Sequence, residues 1–209
     1  MSYRFFAVDG MDGAGKTTLL QTWLKPAFHN HGIPLTLFRD LGETPAGEHI
    51  RSYLLDTARR DIGPHREALL IGAQHLLLVE QCIRPALAAS HVATDRSMLG
   101  TLVYQWMTVR GKASWVRKLN RVAFADVLPE LIIILDVPAE IAAERVSKRN
   151  HTDWFERNTK AFNRQRKAFR ALHESGQYPT VLMDGTQPPE DVFKQAFHHL
   201  RTRLLDLPV

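Results

Sequence analysis

Cysteine is almost missing from this sequence, and so are long apolar runs. Cys82 is the one cysteine among 209 residues, which excludes an internal disulfide and any multi-cysteine metal site. It lies on an apolar helical pattern, so we expect a buried structural thiol. No apolar stretch approaches the roughly 18 residues of a membrane span, and repeats, low-complexity tracts and linkers are also missing. These absences predict a soluble, cytoplasmic protein with no membrane segment.

The order of the apolar runs predicts the fold class. With 44% hydrophobic residues, the chain is long enough for one α/β domain over residues 1–209 and too short for two domains that each bury a full core. Five short apolar runs alternate with amphipathic stretches, which is typical of a three-layer fold with a five-stranded parallel sheet and helices on both faces. The strands are expected at Arg4–Val8, Pro34–Phe38, His91–Thr94, Leu131–Leu135 and Thr180–Met183.

A long helix is predicted from about Arg66 to Ala89. Its apolar residues recur at helical spacing, so they are expected to pack mostly in the core. These residues are Leu69, Leu70, Ala73, Leu76, Leu77 and Ile83.

Residues 10–17 read Gly-Met-Asp-Gly-Ala-Gly-Lys-Thr, which matches the phosphate-binding pattern G-x-x-x-x-G-K-T directly behind an apolar run. A strand that ends in such a loop and opens a helix aims backbone N–H groups and the helix dipole at one point, where an oligophosphate fits. Lys16 would reach the outer phosphates, and the Thr17 hydroxyl would bind Mg²⁺. The motif therefore predicts a P-loop NTPase fold that binds a nucleoside triphosphate. The residues expected to bind it are Gly10, Gly13, Ala14, Gly15, Lys16, Thr17 and Thr18.

Other polar groups follow the predicted strands, at the edge where open α/β sheets place their ligands. Arg39 ends the second strand beside a glycine-bearing loop and can bind a phosphate through its forked guanidinium group. Asp95 and Arg96 follow the third strand. Asp136 ends the fourth strand, where it is the one polar group that could take part in a site.

Three of these features together resemble bacterial-type thymidylate kinases: the loop Asp9–Thr18, the Asp95-Arg96 pair, and the Tyr104-Gln105 pair on the helix that follows. The resemblance extends over nearly the whole chain. It implies a P-loop nucleotide kinase with a short mobile lid at about residues 145–160. It also implies ATP-dependent phosphorylation of a nucleoside monophosphate to the diphosphate, with dTMP or a related or modified pyrimidine deoxynucleotide as the first choice. The implied cofactors are ATP and Mg²⁺, and the implied assembly is a homodimer.

The resemblance also assigns roles to individual residues. Asp12 would hold the sugar hydroxyl and orient the acceptor, Arg96 would grip the acceptor phosphate, and Asp95 would lie near the waters of the metal. Tyr104 would lie against the sugar. The family roles of the acceptor-phosphate arginines fall on Arg39 and Arg51, and those of the base-facing positions fall on Thr101 and Gln105. The residues expected to act in catalysis are Lys16, Asp12, Arg96 and the lid arginines Arg145 and Arg149.

The sequence departs from the family on the acceptor side. Ile71 and His75 occupy the substrate-binding positions where the family has an aromatic ring and an arginine, so a base other than thymine stays open. The run Asp40–Glu43 replaces Glu-Pro-Gly-Gly and adds a negative charge. In the lid, Asp153-Trp154 replaces an Asp-Arg pair, and Arg157 is a candidate substitute for the missing cation.

Positive charge is concentrated in two segments. Residues 110–121 carry five basic side chains and no acid, and residues 145–170 carry nine basic and two acidic ones. A second hypothesis is therefore a P-loop kinase or ATPase that acts on nucleic acid through residues 110–121, with Trp106 and Trp115 interleaved. A nucleotide-operated switch is a third. It would leave the acceptor-side arginines unexplained, and the guanine-specifying pattern Asn-Lys-x-Asp is absent.

Overall fold

A five-stranded parallel sheet forms the centre of the described part of the molecule, a computed structural model that describes residues 2–56, 62–108, 113–150 and 155–205. The side chains of residues 105–108, 113, 149–150 and 155–158 are not described. The strand order is β2-β3-β1-β4-β5. The strands are β1 Phe5–Asp9, β2 Leu35–Phe38, β3 His91–Thr94, β4 Leu131–Asp136 and β5 Thr180–Asp184. All five predicted strands are confirmed, with ends that differ by at most one residue.

The central strands are buried along their length, as continuous apolar runs in a parallel sheet require. All of β1 is buried, and so is β4 up to Asp136. Ala7 of β1 lies opposite Thr94 of β3 on one side and Ile132 of β4 on the other. The carboxyl end of β1 therefore delivers residues 10–17 to the middle of the sheet edge, between the ends of β3 and β4.

Helices cover both faces of the sheet, as predicted. The helices are α1 Lys25–Asn30, α2 Pro45–Leu55, α3 Pro64–Leu78, α4 Arg84–Ala86, α5 Met98–Thr108, α6 Ala113–Phe124, α7 Ala139–Asn150, α8 Phe155–Glu174 and α9 Pro189–Leu200. Stretches of π-helical geometry precede α1 at Thr18–Leu24, join α3 to α4 at Val79–Ile83 and extend α9 at Arg201–Leu205. None of the helices in the described ranges is long and apolar enough to cross a membrane.

Aromatic contacts hold one helical layer against the sheet. The ring of Phe28 on α1 stacks on Phe6 of β1 with 6.0 Å between centroids, and it meets Phe197 of α9 at 6.1 Å. Trp23 stacks on Phe193 of α9 at 5.6 Å. In the other layer, α3, α5 and α6 contact one another, and α8 packs against α5. These contacts bury a continuous core around β1 and β4.

The long helix is confirmed, and Ile83 is buried as predicted, but the prediction of a core position was wrong for Leu69 and Ala73. Leu69 is 52% exposed, and Ala73 is exposed as well. The buried residues of α3, four of which are small or polar, are Ala68, Ile71, Gly72, Gln74, His75 and Leu78. A Cβ on Gly72 would come within 2.7 Å of the Leu119 side chain on α6, and Ile71 and His75 line a cavity. The prediction chose the wrong positions because the inner side of α3 packs closely against α6 and lines a cavity, instead of contributing only apolar side chains to the core.

Cys82 is partly buried and packs against the edge of the core. Burial is the main reason that the pKa of its thiol is raised, and the charge of Glu43 raises it further. The raised pKa favours the protonated thiol at neutral pH, which agrees with a structural role.

Candidate active site

The phosphate-binding loop has the backbone geometry that its glycines predict. Gly13 and Gly15 have φ values of +83° and +102°, which side chains other than glycine rarely adopt. A Cβ on Gly13 would collide with the backbone of Ala142 on α7, whereas a Cβ on Gly15 would meet no atom within 4 Å. The loop is therefore packed against α7 on one side and open on the other, and Lys16 and Thr17 begin the helix that follows.

Lys16 is buried inside this loop. Its Nζ donates to the carbonyl oxygens of Gly10 and Met11, both at 2.9 Å, and lies 3.9 Å from Oδ1 of Asp12. Burial lowers the pKa of Lys16 to about 8, and the positive charge of Arg96 lowers it further, although nearby carboxylates act in the opposite direction. The ammonium group is thus held where it could meet phosphate oxygens at the loop.

Asp9, the last residue of β1, was not among the predicted site residues. It is completely buried. Its Oδ1 accepts the Gly10 N–H, while Oδ2 accepts the N–H and hydroxyl of Ser97 and the N–H of Gly100. Burial raises the pKa of Asp9 and is partly offset by these hydrogen bonds. Asp9 therefore joins the phosphate-binding loop to the start of α5. An acid that ends an otherwise apolar strand was the signal that could have identified it.

One cavity, of about 230 Å³, lies beside Asp12 and Arg96, and we call it the Arg96 cavity. The guanidinium group of Arg96 bonds to Oδ1 of Asp12 at 2.5 Å and lies 5.0 Å from the centre of the Tyr104 ring. Burial raises the pKa of the Tyr104 phenol to about 12, even though the charge of Arg96 acts to lower it. The cavity is lined by Asp12, Asp40, Leu41, Leu54, Leu55, Glu67, Ile71, His75, Arg96, Gly100, Thr101 and Tyr104.

Six of the predicted substrate-binding residues line this cavity: Asp12, Ile71, His75, Arg96, Thr101 and Tyr104. The hydroxyl oxygen of Thr101 is buried with no hydrogen-bond partner in the described part of the chain. Gln105 lies on α5 next to Tyr104, but its side chain is outside the described residues. Leu41, Leu54, Leu55 and Glu67 were missed, because nothing in their sequence pattern distinguishes a cavity wall from an ordinary loop or helix face.

Arg39 and Arg51 do not line the Arg96 cavity. Both guanidinium groups pair with Glu48 on α2, Arg39 at 3.1 Å and Arg51 at 3.9 Å. The N–H of Arg39 is bound by the Glu43 carboxylate at 2.8 Å, so Glu43 caps the loop after β2. The two arginines are therefore neighbours around one carboxylate, at the edge of the site.

His75 forms a hydrogen bond with Asp40, with 2.9 Å between Nε2 and Oδ2. Both side chains are buried. The N–H of Asp40 in turn donates to Oδ1 of Asp95 at 3.0 Å. Asp95, the carboxylate predicted to lie near the metal, is therefore hydrogen-bonded to the backbone of the His75–Asp40 pair that lines the Arg96 cavity.

A second cavity, of about 500 Å³, lies on the other side of the loop, and we call it the P-loop cavity. Arg145 lines it, and its guanidinium group is 3.3 Å from the Gly13 carbonyl oxygen and 3.4 Å from that of Gly185. The stretch after β5, Gly185–Pro189, forms another wall and was missed. The position of these residues at the carboxyl end of a strand could have identified them. The side chain of the other predicted lid arginine, Arg149, lies outside the described residues, as do Asp153, Trp154 and the side chain of Arg157.

Asp136 supports the neighbouring helix rather than lining either cavity. Its carboxylate accepts two hydrogen bonds from Arg166, at 2.7 and 2.8 Å, and one from Arg170 at 2.9 Å. Burial by itself would raise its pKa, but the arginines outweigh this effect and lower it. These bonds tie the end of β4 to α8.

The basic segment lies apart from both cavities. Arg117, Lys118 and Arg121 are exposed on α6, and neither cavity includes them. Arg110 and Lys112 are outside the described residues. No described residue of this segment supplies an observation in favour of nucleic-acid binding.

Comparison with known proteins identifies the family. The family model of thymidylate kinase matches residues 8–196. The chain is 37% identical over 194 residues to the thymidylate kinase of Thermomicrobium roseum, with 90% of each chain covered. It is 36% identical over 205 residues to that of Nitratidesulfovibrio vulgaris, covering 91% and 88%, and 34% identical over 199 residues to that of Alcanivorax borkumensis, covering 93% and 94%. The chain has a phosphate-binding loop between two cavities, and it matches these proteins almost end to end. It therefore belongs to the thymidylate kinase family.

Proposed function

We propose that this protein transfers the terminal phosphoryl group of ATP to a pyrimidine deoxynucleoside monophosphate, dTMP or a close relative of it. The observation that carries the proposal is the arrangement of two cavities around one loop. Gly13, Ala14 and Gly15 line the P-loop cavity, and Asp12 lines the Arg96 cavity. Donor and acceptor bound there would meet at Lys16, as an in-line phosphoryl transfer requires.

On the donor side, the triphosphate would lie along the loop with its outer phosphates at Lys16. The base would enter the P-loop cavity, between Arg145 and the stretch Gly185–Pro189. Arg145 was expected to act in catalysis, but its contacts with Gly13 and Gly185 favour a role in holding the donor nucleotide. Cations that neutralise the transferring group would then come from Lys16, Arg96 and, in the lid, Arg149.

On the acceptor side, Arg96 would bind the monophosphate, and Asp12 would hold the sugar hydroxyl. The Tyr104 ring, against which Arg96 lies, would contact the sugar. The base would lie between Ile71 and Thr101, whose buried hydroxyl has a free hydrogen-bonding capacity within the described residues. Arg39 and Arg51 would leave Glu48 to reach the acceptor phosphate, because a dianionic phosphate attracts both more strongly than an exposed carboxylate does.

The residues near the loop fit Mg²⁺. Thr17 offers a hydroxyl and Asp95 a carboxylate, which are the oxygen ligands that this ion prefers. The described residues include no group of three or more His, Cys, Asp or Glu side chains that could hold a metal, so phosphates and waters would complete the coordination. When bound, Mg²⁺ neutralises charge on the phosphates and fixes their geometry.

In the reaction, an oxygen of the acceptor monophosphate attacks the terminal phosphorus of ATP. The bond from that phosphorus to the bridging oxygen breaks, and ADP leaves with the electron pair. The protein has little covalent chemistry to perform, since charge neutralisation and alignment of the two oxygens provide most of the rate acceleration. Lys16 and Arg96 would each stabilise charge on the oxygens that surround the transferred group.

A phosphoryl-transfer assay with Mg²⁺ and ATP tests the proposal against a panel of acceptors. The panel contains dTMP, dUMP, dCMP, dGMP, a 5-modified pyrimidine monophosphate and a DNA oligomer. We expect the highest kcat/KM with a pyrimidine deoxynucleoside monophosphate. Transfer to the oligomer alone, or ATP hydrolysis that no acceptor increases, would contradict the proposal and favour the nucleic-acid hypothesis or the switch hypothesis respectively.

We also propose that the protein is a cytoplasmic homodimer that associates through α2 and α3. The outward face of these helices carries exposed apolar side chains, Tyr53 at 36% on α2 and Leu69 at 52% on α3. Tyr53 and Leu69 also line a mostly apolar depression with Ile62, Leu70 and Arg66. Apolar surface in this arrangement is typical of an interface between subunits.

A further inference from the structure

His75 and Asp40 form a buried pair in the lining of the Arg96 cavity. Nε2 of His75 lies 2.9 Å from Oδ2 of Asp40, and the two residues are 1% and 8% exposed. His75 lies on α3, whereas Asp40 follows the end of β2, so the pair joins a helix to a sheet edge. A carboxylate can only accept, and the tautomer assigned to His75 therefore carries its hydrogen on Nε2.

The backbone of Asp40 connects this pair to Asp95. The Asp40 N–H donates to Oδ1 of Asp95 at 3.0 Å, because β2 and β3 are paired neighbours and both residues leave the same edge of the sheet. Burial is the main reason that the pKa of Asp95 is raised; the Asp40 N–H lowers it, and the charge of Asp40 raises it again. The placement of Asp40 therefore acts directly on the charge and orientation of Asp95.

The loop after Asp40 depends on support from other elements. Leu41 and Glu43 have φ values of 64° and 55°, which residues other than glycine adopt at a cost in free energy. Asp40 stabilises this conformation by accepting the Leu41 N–H at 2.9 Å. Since the Asp40 carboxylate is itself held by His75, a side chain on α3 contributes to the shape of the loop that follows Arg39.

The ring of His75 is held on two sides, which limits how it can turn toward a nucleotide base. Nε2 is used by Asp40, and Nδ1 is buried with no hydrogen-bond partner among the described residues. The ring also packs against Phe124, with 4.9 Å between centroids. A base in the Arg96 cavity could therefore contact the pair without displacing its hydrogen bond, and Nδ1 is the one ring nitrogen that remains open to it.

We propose that His75 is a positioning residue, which holds Asp40 and through it orients Asp95 and the loop that carries Arg39, instead of recognising the base. The kinetic part of its test rests on the proposed kinase function. Asp95 lies on the metal side of the reaction, so an error in its placement would slow phosphoryl transfer more than it would weaken substrate binding.

Two substitutions of His75 separate positioning from base recognition. His75→Leu fills a similar space without a donor, and His75→Gln keeps an N–H that can reach Asp40. We expect His75→Leu to lower kcat about 10- to 100-fold with dTMP and with dUMP alike, and to leave KM for ATP unchanged. His75→Gln should recover most of the loss. A raised acceptor KM at unchanged kcat, or a changed preference between the two acceptors, would overturn the proposal.

A double-mutant cycle with Asp40→Asn tests whether His75 acts through Asp40. If it does, adding His75→Leu to Asp40→Asn should cause little further loss of kcat, whereas losses that multiply would indicate independent roles. Ser90→Ala is the control for general destabilisation. It removes a partly buried hydrogen bond to Thr36 on β2, 2.7 Å long and away from both cavities, and it should leave kcat unchanged.

Amide hydrogen exchange gives a readout that does not require activity. The Asp40 N–H should exchange at least about 10-fold faster in the folded His75→Leu variant than in the wild type, while amides of β4 keep their protection. An unchanged exchange rate at Asp40 would overturn the positioning role. If the wild-type protein phosphorylates no monophosphate, the proposed function fails, and the exchange result still decides the link from His75 to Asp40.

Discussion

Lys16 is a buried cation whose nearest partners are two backbone carbonyl oxygens. Burial and the neighbouring charge of Arg96 together bring its pKa to about 8, so the residue is close to losing its proton at physiological pH. Phosphates at the loop would add negative charge and raise that pKa again. The protonation of this one side chain should therefore be coupled to nucleotide binding.

ATP binding is expected to take up protons in the slightly alkaline range. With a pKa of about 8, about half of the Lys16 side chains are neutral at pH 8, so each binding event should take up about 0.5 proton. Uptake should fall toward zero near about pH 6, where the free protein already carries the proton. Calorimetry in two buffers of different ionisation enthalpy measures the uptake. Lys16→Met is the control, and equal uptake by the variant and the wild type would show that another group is responsible.

Arg96 should affect the acceptor and not the donor. Its contacts with Asp12 and the Tyr104 ring hold it at the Arg96 cavity. Arg96→Ala is expected to lower kcat/KM for the acceptor about 100-fold or more, with unchanged Kd for ATP, as steady-state kinetics and calorimetry would show. Arg4, which precedes β1, forms an exposed ion pair with Glu130. The control Arg4→Ala removes this pair and should leave kcat/KM unchanged. A loss of ATP affinity in Arg96→Ala would instead place Arg96 on the donor side.

Among the elements, the phosphate-binding loop and α7 constrain each other. Gly13 lies against the backbone of Ala142, and Arg145 on the same helix reaches the Gly13 carbonyl oxygen. The loop therefore cannot relax without moving the helix that leads into the predicted lid. This contact joins donor binding to the position of α7.

Gly13→Ala tests the contact between the loop and α7. The new Cβ would be strained by a φ of +83° and would collide with Ala142. Gly32→Ala is the matched control, because its φ is +66° with no atom within 4 Å, so it carries the conformational cost of about 1–2 kcal/mol alone. We expect Gly13→Ala to lower Tm further than the control and to raise KM for ATP. Equal Tm values and an unchanged KM would refute the constraint.

At the scale of the whole molecule, the outward face of α3 carries apolar surface that does not pack in the core of the described fold. Leu69 is 52% exposed and lines the same surface depression as Tyr53 of α2. The inner face of the same helix is occupied by close packing and by the Arg96 cavity. A second copy of the chain would bury this apolar surface.

Leu69→Glu should therefore convert a dimer to a monomer. A charge on each copy would have to be buried in the interface, which costs free energy that an apolar side chain does not. Sedimentation velocity at micromolar concentration measures the change. Leu128→Glu is the matched control, since Leu128 is 50% exposed in the loop before β4. A wild-type monomer, or equal effects of the two variants, would count against this interface.

Much of the fold could be predicted because its signals are local. Each strand is a short apolar run with a turn after it, and the loop at residues 10–17 requires glycine at defined backbone positions. Arg96 and Asp12 were predictable as partners in one site, because both follow strands that end at the same edge of the sheet. The resemblance to a family added the roles of these residues, which spacing by itself does not provide.

Other parts of the site depend on how distant segments pack. Whether Leu69 or Ile71 faces inward depends on the rotation of α3 against α6, and helical spacing alone is satisfied by either choice. Asp40 and His75 are 35 residues apart, and Asp9 and Ser97 are 88 apart. Such pairs form only after the order of the strands has been set, so no local pattern reveals them.

The amino-acid chain alone thus specified a phosphate-binding loop, its cation and the strands that present them, because these act through contiguous backbone and simple periodicity. The packed molecule decided which side chains become partners: Asp9 with Ser97, His75 with Asp40, and Arg145 with the loop itself. Hydrogen bonds between distant residues require buried groups to meet at about 3 Å, and that condition is set by the arrangement of helices on the sheet.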